Sequence, residues 1–139
     1  MCDTNVLVSG VMFGGHPRRI LSRIARGIVA NITSPDLLRE VGIVLARRKF
    51  GLQPDEVFRI LALFRDTFEI VEPARRVRVI VADPSDNIVL EAAATGAADA
   101  IVSGDKHLCQ LHTWNGIPIL TPVQFIGDSV GPRDFEGDA

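Results

Sequence analysis

Short apolar runs alternate along this chain with longer stretches in which apolar residues recur every three or four positions. The short runs, at residues 28–32, 69–72, 98–105 and 116–122, predict buried strands. The periodic stretches predict amphipathic helices that begin near Pro17, Ser34, Pro54 and Ile88. Alternation of this kind is typical of βαβ units. We therefore predict an α/β fold of three layers, α/β/α, around a central and mostly parallel sheet.

The N-terminal segment fits this pattern less well. Val6 to Phe13 is apolar and rich in β-branched residues, but Gly10 interrupts it and two further glycines follow. We expect a strand end that passes into a loop. Taken alone, the preceding Asp3 is best explained as a turn residue or a helix N-cap.

Length and composition indicate one globular domain, placed at residues 1–126, with a flexible tail at residues 127–139. No run approaches the roughly 20 apolar residues of a membrane span, and no signal peptide is visible, so we expect a cytoplasmic protein. Cys2 and Cys109 lack metal-type spacing and are expected to be reduced thiols. The net charge of −2 can conceal an acidic site beside a basic surface.

Four carboxylates are expected to meet at one edge of the sheet. Asp3 and Asp105 follow strand ends, Asp86 opens a helix after another strand, and Glu40 lies on the helix after the second strand. Each has an ordinary alternative, since Asp3, Asp83 or Asp86 could cap a helix and Glu40 could lie at the surface. Sites in parallel sheets form beyond the carboxyl ends of the strands, which favours a shared site.

The chemistry of such a cluster is restricted by its oxygen-only donors. Carboxylates without His or Cys partners favour Mg²⁺ or Mn²⁺, which serve phosphoryl chemistry. The serines lack the spacing of a nucleophile elbow, and no phosphate-binding Gly-Lys-Ser or Gly-Lys-Thr occurs. These absences leave metal-dependent phosphoryl transfer as the favoured class.

The ordered motifs resemble those of the PIN-domain family, and in particular the VapC-like toxin ribonucleases of toxin–antitoxin modules. The resemblance covers about residues 1–126 and rests on five segments in the expected order, at residues 3–10, 33–40, 83–87, 101–108 and 119–125. It implies a Mg²⁺- or Mn²⁺-dependent endoribonuclease that leaves a 5′-phosphate and a 3′-hydroxyl. It also implies a homodimer and inhibition by a cognate antitoxin.

The same resemblance assigns roles to individual residues. The metal ligands and catalytic carboxylates would be Asp3, Glu40, Asp86 and Asp105, with Asp83 as a further ligand or a helix cap. Thr4, Asn5 and Ser9 would orient the first carboxylate or a metal-bound water. The candidate contacts to the RNA backbone are Arg18, Arg19, Arg47, Arg48 and Lys106. For the Arg47–Lys49 run, interaction with the helix dipole is a sufficient alternative.

One departure from the family concerns the first strand. Family members usually carry four or five apolar residues before the first Asp, whereas only Met1 and Cys2 stand before Asp3. A strand of about 3 to 10 residues is usual. We therefore expect either that the native N-terminus is longer than this sequence, or that the first strand is shortened and the site weakened. Two alternative functions remain: another phosphoryl-transfer enzyme, such as a DNA nuclease or phosphatase, and a non-catalytic interaction module that has lost its metal.

Overall fold

The computed structural model describes residues 1–73 and 86–127. Seven α-helices lie in these ranges: α1 Thr4–Met12, α2 Gly15–Ala25, α3 Pro35–Leu45, α4 Pro54–Thr67, α5 Asn87–Thr95, α6 Lys106–Cys109 and α7 Pro122–Gly127. The strands in the same ranges are β1 Ile32–Thr33, β2 Glu69–Ile70, β3 Ile101–Val102, β4 Thr113–Trp114 and β5 Ile117–Leu120, and a 3-10 turn spans Arg48–Phe50. Asp83 and the predicted C-terminal tail from residue 128 onward lie outside the described residues.

The strands are mostly parallel, as predicted. β1 pairs with β2 and β3 pairs with β5 in parallel, while β4 forms an antiparallel hairpin with β5. Buried apolar residues lie on both faces, with α1 to α4 and α7 in one cluster and α5 and α6 in the other. The three-layer α/β/α prediction is therefore confirmed.

Met1 and Cys2 lie between the two parts of the sheet and form only a minimal strand. Cys2 pairs with Val102 in a single parallel bridge, and the N–H of Val102 donates to the carbonyl of Met1 at 2.8 Å. On the other side, the N–H of Cys2 donates to the side-chain oxygen of Asn31 at 2.8 Å instead of to a backbone carbonyl. The expected shortening of the first strand is thus present, and a buried Asn side chain replaces one of its ladder bonds.

The expectation of a strand end at Val6–Phe13 is wrong, because Thr4–Met12 forms α1. Asp3 is its N-cap and accepts a hydrogen bond from the N–H of Val6 at 2.9 Å. Val6, Leu7 and Val8 are buried in the core, so tertiary packing outweighs the weak helix propensity of β-branched residues and glycine. At Gly10 a Cβ would come within 3.0 Å of side-chain atoms of Leu21, which explains why the residue is small.

The predicted helix starts at Ser34 and Pro54 are confirmed. Ser34 caps α3 by accepting from the N–H of Leu37, and Pro35 occupies its first turn. α4 begins at Pro54 with Glu56 in a capping box. The strand predicted at residues 28–32 is shorter, since only Ile32–Thr33 pairs and Ile28 is exposed.

Candidate functional site

Asp3 is a buried carboxylate at the point where the minimal first strand meets α1. Only 4% of its surface is exposed. One oxygen accepts from the N–H of Val6, and the other accepts a short hydrogen bond from the hydroxyl of Ser103. Asp3 is therefore both a helix cap, as its local sequence suggests, and a member of a buried polar group at the carboxyl end of the strands.

Ser103 connects Asp3 to the second predicted carboxylate, Asp105. Its hydroxyl donates to Asp3 and accepts from the N–H of Asp105 at 2.9 Å. Asp105 in turn caps α6, since its Oδ1 accepts from the N–H groups of His107 and Leu108 at 2.8 and 3.2 Å. The Ser-Gly-Asp sequence after β3 thus holds two acidic residues 102 positions apart at one place.

The electrostatics of Asp3 reflect this crowding. Burial raises its pKa from 3.8 to about 6, and the hydrogen bonds from Ser103 and from the Val6 N–H only partly oppose the rise. The negative charges of Asp105 and Glu40 raise the same pKa further. Two of the three predicted partner carboxylates are therefore close enough to Asp3 to perturb its ionisation.

Glu40 and Asp86 are the two predicted site residues that helices carry or adjoin. Glu40 is partly buried on α3, in agreement with its predicted position at the edge of the apolar stripe. Asp86 immediately precedes α5, but its backbone is helical, at φ −67° and ψ −23°, and its side chain makes no capping hydrogen bond. The capping alternative for Asp86 is wrong, whereas its proposed role as a ligand stays a prediction.

Comparison with known proteins identifies the family. A family profile described as PIN domain matches residues 1–107. The chain belongs to the PIN domain family. PIN domains are generally nucleases, often metal-dependent, and the family typically uses divalent metal ions. An uncharacterized protein of Methanocaldococcus jannaschii is 30% identical over 136 residues, which cover 89% of this chain and 86% of that protein. No solved structure matches the chain significantly.

The donor chemistry of this PIN domain fits a hard divalent cation, although the described residues do not form a preformed metal site. Each oxygen of Asp3 accepts one hydrogen bond and retains a lone pair, and the surrounding charges are negative. Among residues 1–73 and 86–127, no three or more His, Cys, Asp or Glu side chains are grouped as a metal site would require. Asp3 and its neighbouring carboxylates are thus close enough to repel one another, but they are not arranged around a common metal position.

Sequence reasoning missed two residues of the PIN site. Ser103 lacks the spacing of a nucleophile elbow, but a hydroxyl directly after a strand end and two positions before Asp105 is a usable signal for a residue that orients the site. Cys109 lies beside the site, where its thiol donates to the carbonyl of Ser103 at 3.4 Å. Desolvation, together with the charges of Asp3 and Asp105, raises the pKa of this thiol, which therefore stays protonated.

The predicted orienting residues occupy different positions on α1. Thr4 is buried, and its hydroxyl has no hydrogen-bond partner within the described part of the chain. Asn5 is exposed, and Ser9 lies six residues beyond Asp3, about 9 Å along the helix axis. Thr4 therefore has the position best suited to a ligand near Asp3.

The predicted RNA contacts also separate by position. Lys106 is exposed and adjoins Asp105, whereas Arg47 and Arg48 are exposed beyond the end of α3. The guanidinium of Arg18 donates to the carbonyls of Gly10 and Val11 at 3.0 and 2.9 Å, so it also closes α1. Arg19 is partly buried on α2. None of the helices that the structure describes is long and apolar enough to cross a membrane.

Proposed function

We propose that this PIN domain is a metal-dependent endoribonuclease whose catalytic carboxylates are Asp3, Glu40, Asp86 and Asp105. The observation that carries the proposal is the buried Asp3 carboxylate, whose pKa is raised by burial and further by the neighbouring charges of Asp105 and Glu40. A group of like charges at the carboxyl end of parallel strands is costly unless a cation neutralises it. The free-energy cost of placing these carboxylates together is most simply explained if they bind a catalytic metal ion.

Mg²⁺ or Mn²⁺ bound to these carboxylates would supply positive charge for the scissile phosphate and an acidic water. The residues of the chain do the remaining work. Ser103 fixes the orientation of Asp3 and, through the Asp105 N–H, the start of α6. The buried hydroxyl of Thr4 is available to hold a bound water, and Lys106 beside Asp105 supplies a positive charge for a phosphate.

The proposal is tested by cleavage of a panel of single-stranded RNA, single-stranded DNA and a phosphate monoester. We expect cleavage of RNA with Mn²⁺ or Mg²⁺, loss of cleavage in EDTA, and loss in Asp105→Asn. The matched control is Asp66→Asn, which removes an exposed charge on α4 and should retain full activity. RNA cleavage that persists undiminished in EDTA contradicts the proposal. Hydrolysis of DNA or the monoester alone favours another phosphoryl-transfer enzyme.

We further propose that the protein forms a homodimer and serves as the toxin of a toxin–antitoxin pair. An exposed apolar surface on α3 and α4 supports an interface, since Ile43, Phe58 and Leu63 are each more than 60% exposed. Sedimentation of wild-type protein and Phe58→Asp tests the dimer, and we expect the variant to be monomeric. A short reading frame beside the gene, whose product suppresses RNA cleavage, tests the antitoxin. A monomeric wild-type protein contradicts the dimer proposal. A complex with the product of the neighbouring reading frame that still cleaves RNA contradicts the antitoxin proposal.

A non-catalytic interaction module is the second candidate. Its support comes from residues 1–73 and 86–127, in which no three or more His, Cys, Asp or Glu side chains are grouped as a metal site would require. A protein of this kind would bind RNA or a protein partner without cleaving RNA. Absence of both Mn²⁺ binding and RNA cleavage in folded protein would support it over the nuclease.

A further inference from the structure

An exposed aromatic residue lies beside a second ring and a group of cations, away from the carboxylates. Phe13 follows the last turn of α1 and is 73% exposed. Its ring centroid is 5.9 Å from that of Phe50, with the two planes tilted by 60°. The ammonium of Lys49 lies 5.1 Å from the centre of the Phe50 ring. We call Phe13, Phe50 and Lys49 the Phe13 platform.

The platform is held in place by its surroundings. Phe50 is partly buried against the core, so it forms a fixed base for the exposed ring. The guanidinium of Arg18 binds the carbonyls of Gly10 and Val11, which fixes the end of α1 from which Phe13 projects. Gly14, at φ +89°, then turns the chain away and leaves the outer face of the ring open. Because Phe50 and Arg18 hold its surroundings in place, the exposed Phe13 ring is pre-organised to contact a ligand.

The charge around the platform is positive, although the chain as a whole carries −2. The segments that supply the two rings, residues 4–35 and 41–54, contain no Asp or Glu. The exposed cations closest to the rings in sequence are Arg18, five positions after Phe13, and Arg47, Arg48 and Lys49, directly before Phe50. A flat apolar face bordered by cations matches an unstacked base and its flanking phosphates.

The fold also connects the platform to the carboxylate site. α1 begins at Asp3 and ends at the platform, and α3 carries Glu40 and leads to the turn that contains Phe50. The two helices pack against each other. The ten residues from Asp3 to Phe13 span about 15 Å at 1.5 Å per residue. A single strand whose phosphate lies at the carboxylates could therefore place a base on Phe13 a few nucleotides away.

We propose that the Phe13 platform stacks a base of a single-stranded nucleic acid whose backbone contacts Arg47 and Arg48. This inference extends the proposed ribonuclease function by assigning a substrate-binding surface to it. A protein partner fits less well, because the exposed apolar residues proposed for the dimer interface, Phe58 and Leu63, lie on α4 and not beside the platform's cations. Ile28, which is 59% exposed and lies in neither surface, provides a control for truncation of an exposed apolar side chain.

The test measures the affinity of a short fluorescein-labelled single-stranded RNA by anisotropy, in EDTA so that cleavage is suppressed. We expect Phe13→Ala to bind roughly 5- to 100-fold more weakly, the range given by loss of one base–aromatic stack. Phe13→Trp should retain the affinity, and Phe13→Leu should lose it because the ring is required. Ile28→Ala, which truncates an exposed apolar side chain outside the platform, should bind like the wild type. Arg48→Ala should reduce the slope of log K against log salt by about one.

Three results would overturn the platform: no binding of the RNA, equal affinity of Phe13→Ala and Ile28→Ala, or full affinity of Phe13→Leu. A fall in oligomeric state with Phe13→Ala would instead identify this face as an interface between copies. Cleavage by the wild type with Mn²⁺ is measured separately. RNA binding that depends on Phe13, without RNA cleavage, would refute the nuclease function but support the platform. RNA cleavage whose KM is the same in wild type and Phe13→Ala would support the nuclease function but refute the platform.

Discussion

Asp3 should make the stability of the metal-free protein depend on pH in an unusual direction. The pKa of Asp3 is raised from 3.8 to about 6 by folding, so the folded state binds its proton more tightly than the unfolded state. Between about pH 4 and pH 6 the native chain therefore carries more protons at this position. The free energy of unfolding then falls as pH rises, the opposite of an ion-paired carboxylate. The contribution of protonated Asp3 to the free energy of unfolding is therefore present in full below pH 4 and lost above pH 6.

The size of this effect follows from the pKa. At about 1.4 kcal/mol per pKa unit, the rise from 3.8 to about 6 corresponds to about 3 kcal/mol. The residue is almost fully buried, so solvent screening does not reduce this figure greatly. Asp3→Asn removes the charge and keeps an oxygen that can accept from the N–H of Val6. Its free energy of unfolding, minus that of the wild type, should increase by about 3 kcal/mol between pH 4 and pH 7.

Urea unfolding of both proteins in EDTA, followed by the fluorescence of Trp114, measures this difference. Taking the difference between the two proteins at each pH cancels the titration of the carboxylates that do not interact with Asp3, so that Asp3 and its coupling to Asp105 and Glu40 remain. A difference that stays constant from pH 4 to pH 7 would refute the assignment of a perturbed pKa to Asp3. A difference that changes in the opposite sense would show that Asp3 is stabilised as an anion.

Further predictions concern the support of the site and the packing of the sheet. Ser103→Ala should lower the free energy of unfolding by about 1–3 kcal/mol, because Asp3 and the Asp105 N–H both lose a buried partner. It should also raise the pH at which Asp3 titrates, and an unchanged pH profile would contradict this. Gly96→Ala should cost about 1–3 kcal/mol, because its Cβ would lie 2.7 Å from Ile32 Cγ2. Gly104→Ala meets nothing within 4 Å and should be nearly neutral, and equal costs in thermal unfolding would contradict the packing argument.

The layer architecture could be predicted because it depends on periodicity and on capping residues. Ser34 with Pro35 and Pro54 with Glu56 mark helix starts by local hydrogen bonding, and the structure follows them. The character of residues 4–12 could not be predicted in this way. Their composition favours a strand, whereas the cap at Asp3 and burial against the core select a helix. Secondary-structure propensity does not include the contribution of tertiary contacts.

The site could be predicted in part. Asp3 and Asp105, at strand ends, and Glu40, on the helix after the second strand, interact electrostatically, as predicted positions at one edge of the sheet imply. The position of Ser103 after a strand end is visible in the sequence, but its bond to Asp3 is not, because the two residues are 100 positions apart. The Phe13 platform is invisible in the sequence for a similar reason. Phe13 and Phe50 meet only because α1 and α3 pack side by side and end together.

Binding of Mn²⁺ to the wild-type protein, measured by titration calorimetry, tests the central claim most directly. The carboxylate site predicts Mn²⁺ binding that Asp105→Asn abolishes and that the exposed-charge control Asp66→Asn leaves intact. Binding should also release a proton when the titration is made near pH 6, because the pKa of Asp3 is about 6 before the cation arrives. Absence of binding to folded wild-type protein, or equal binding by Asp105→Asn, would contradict the account.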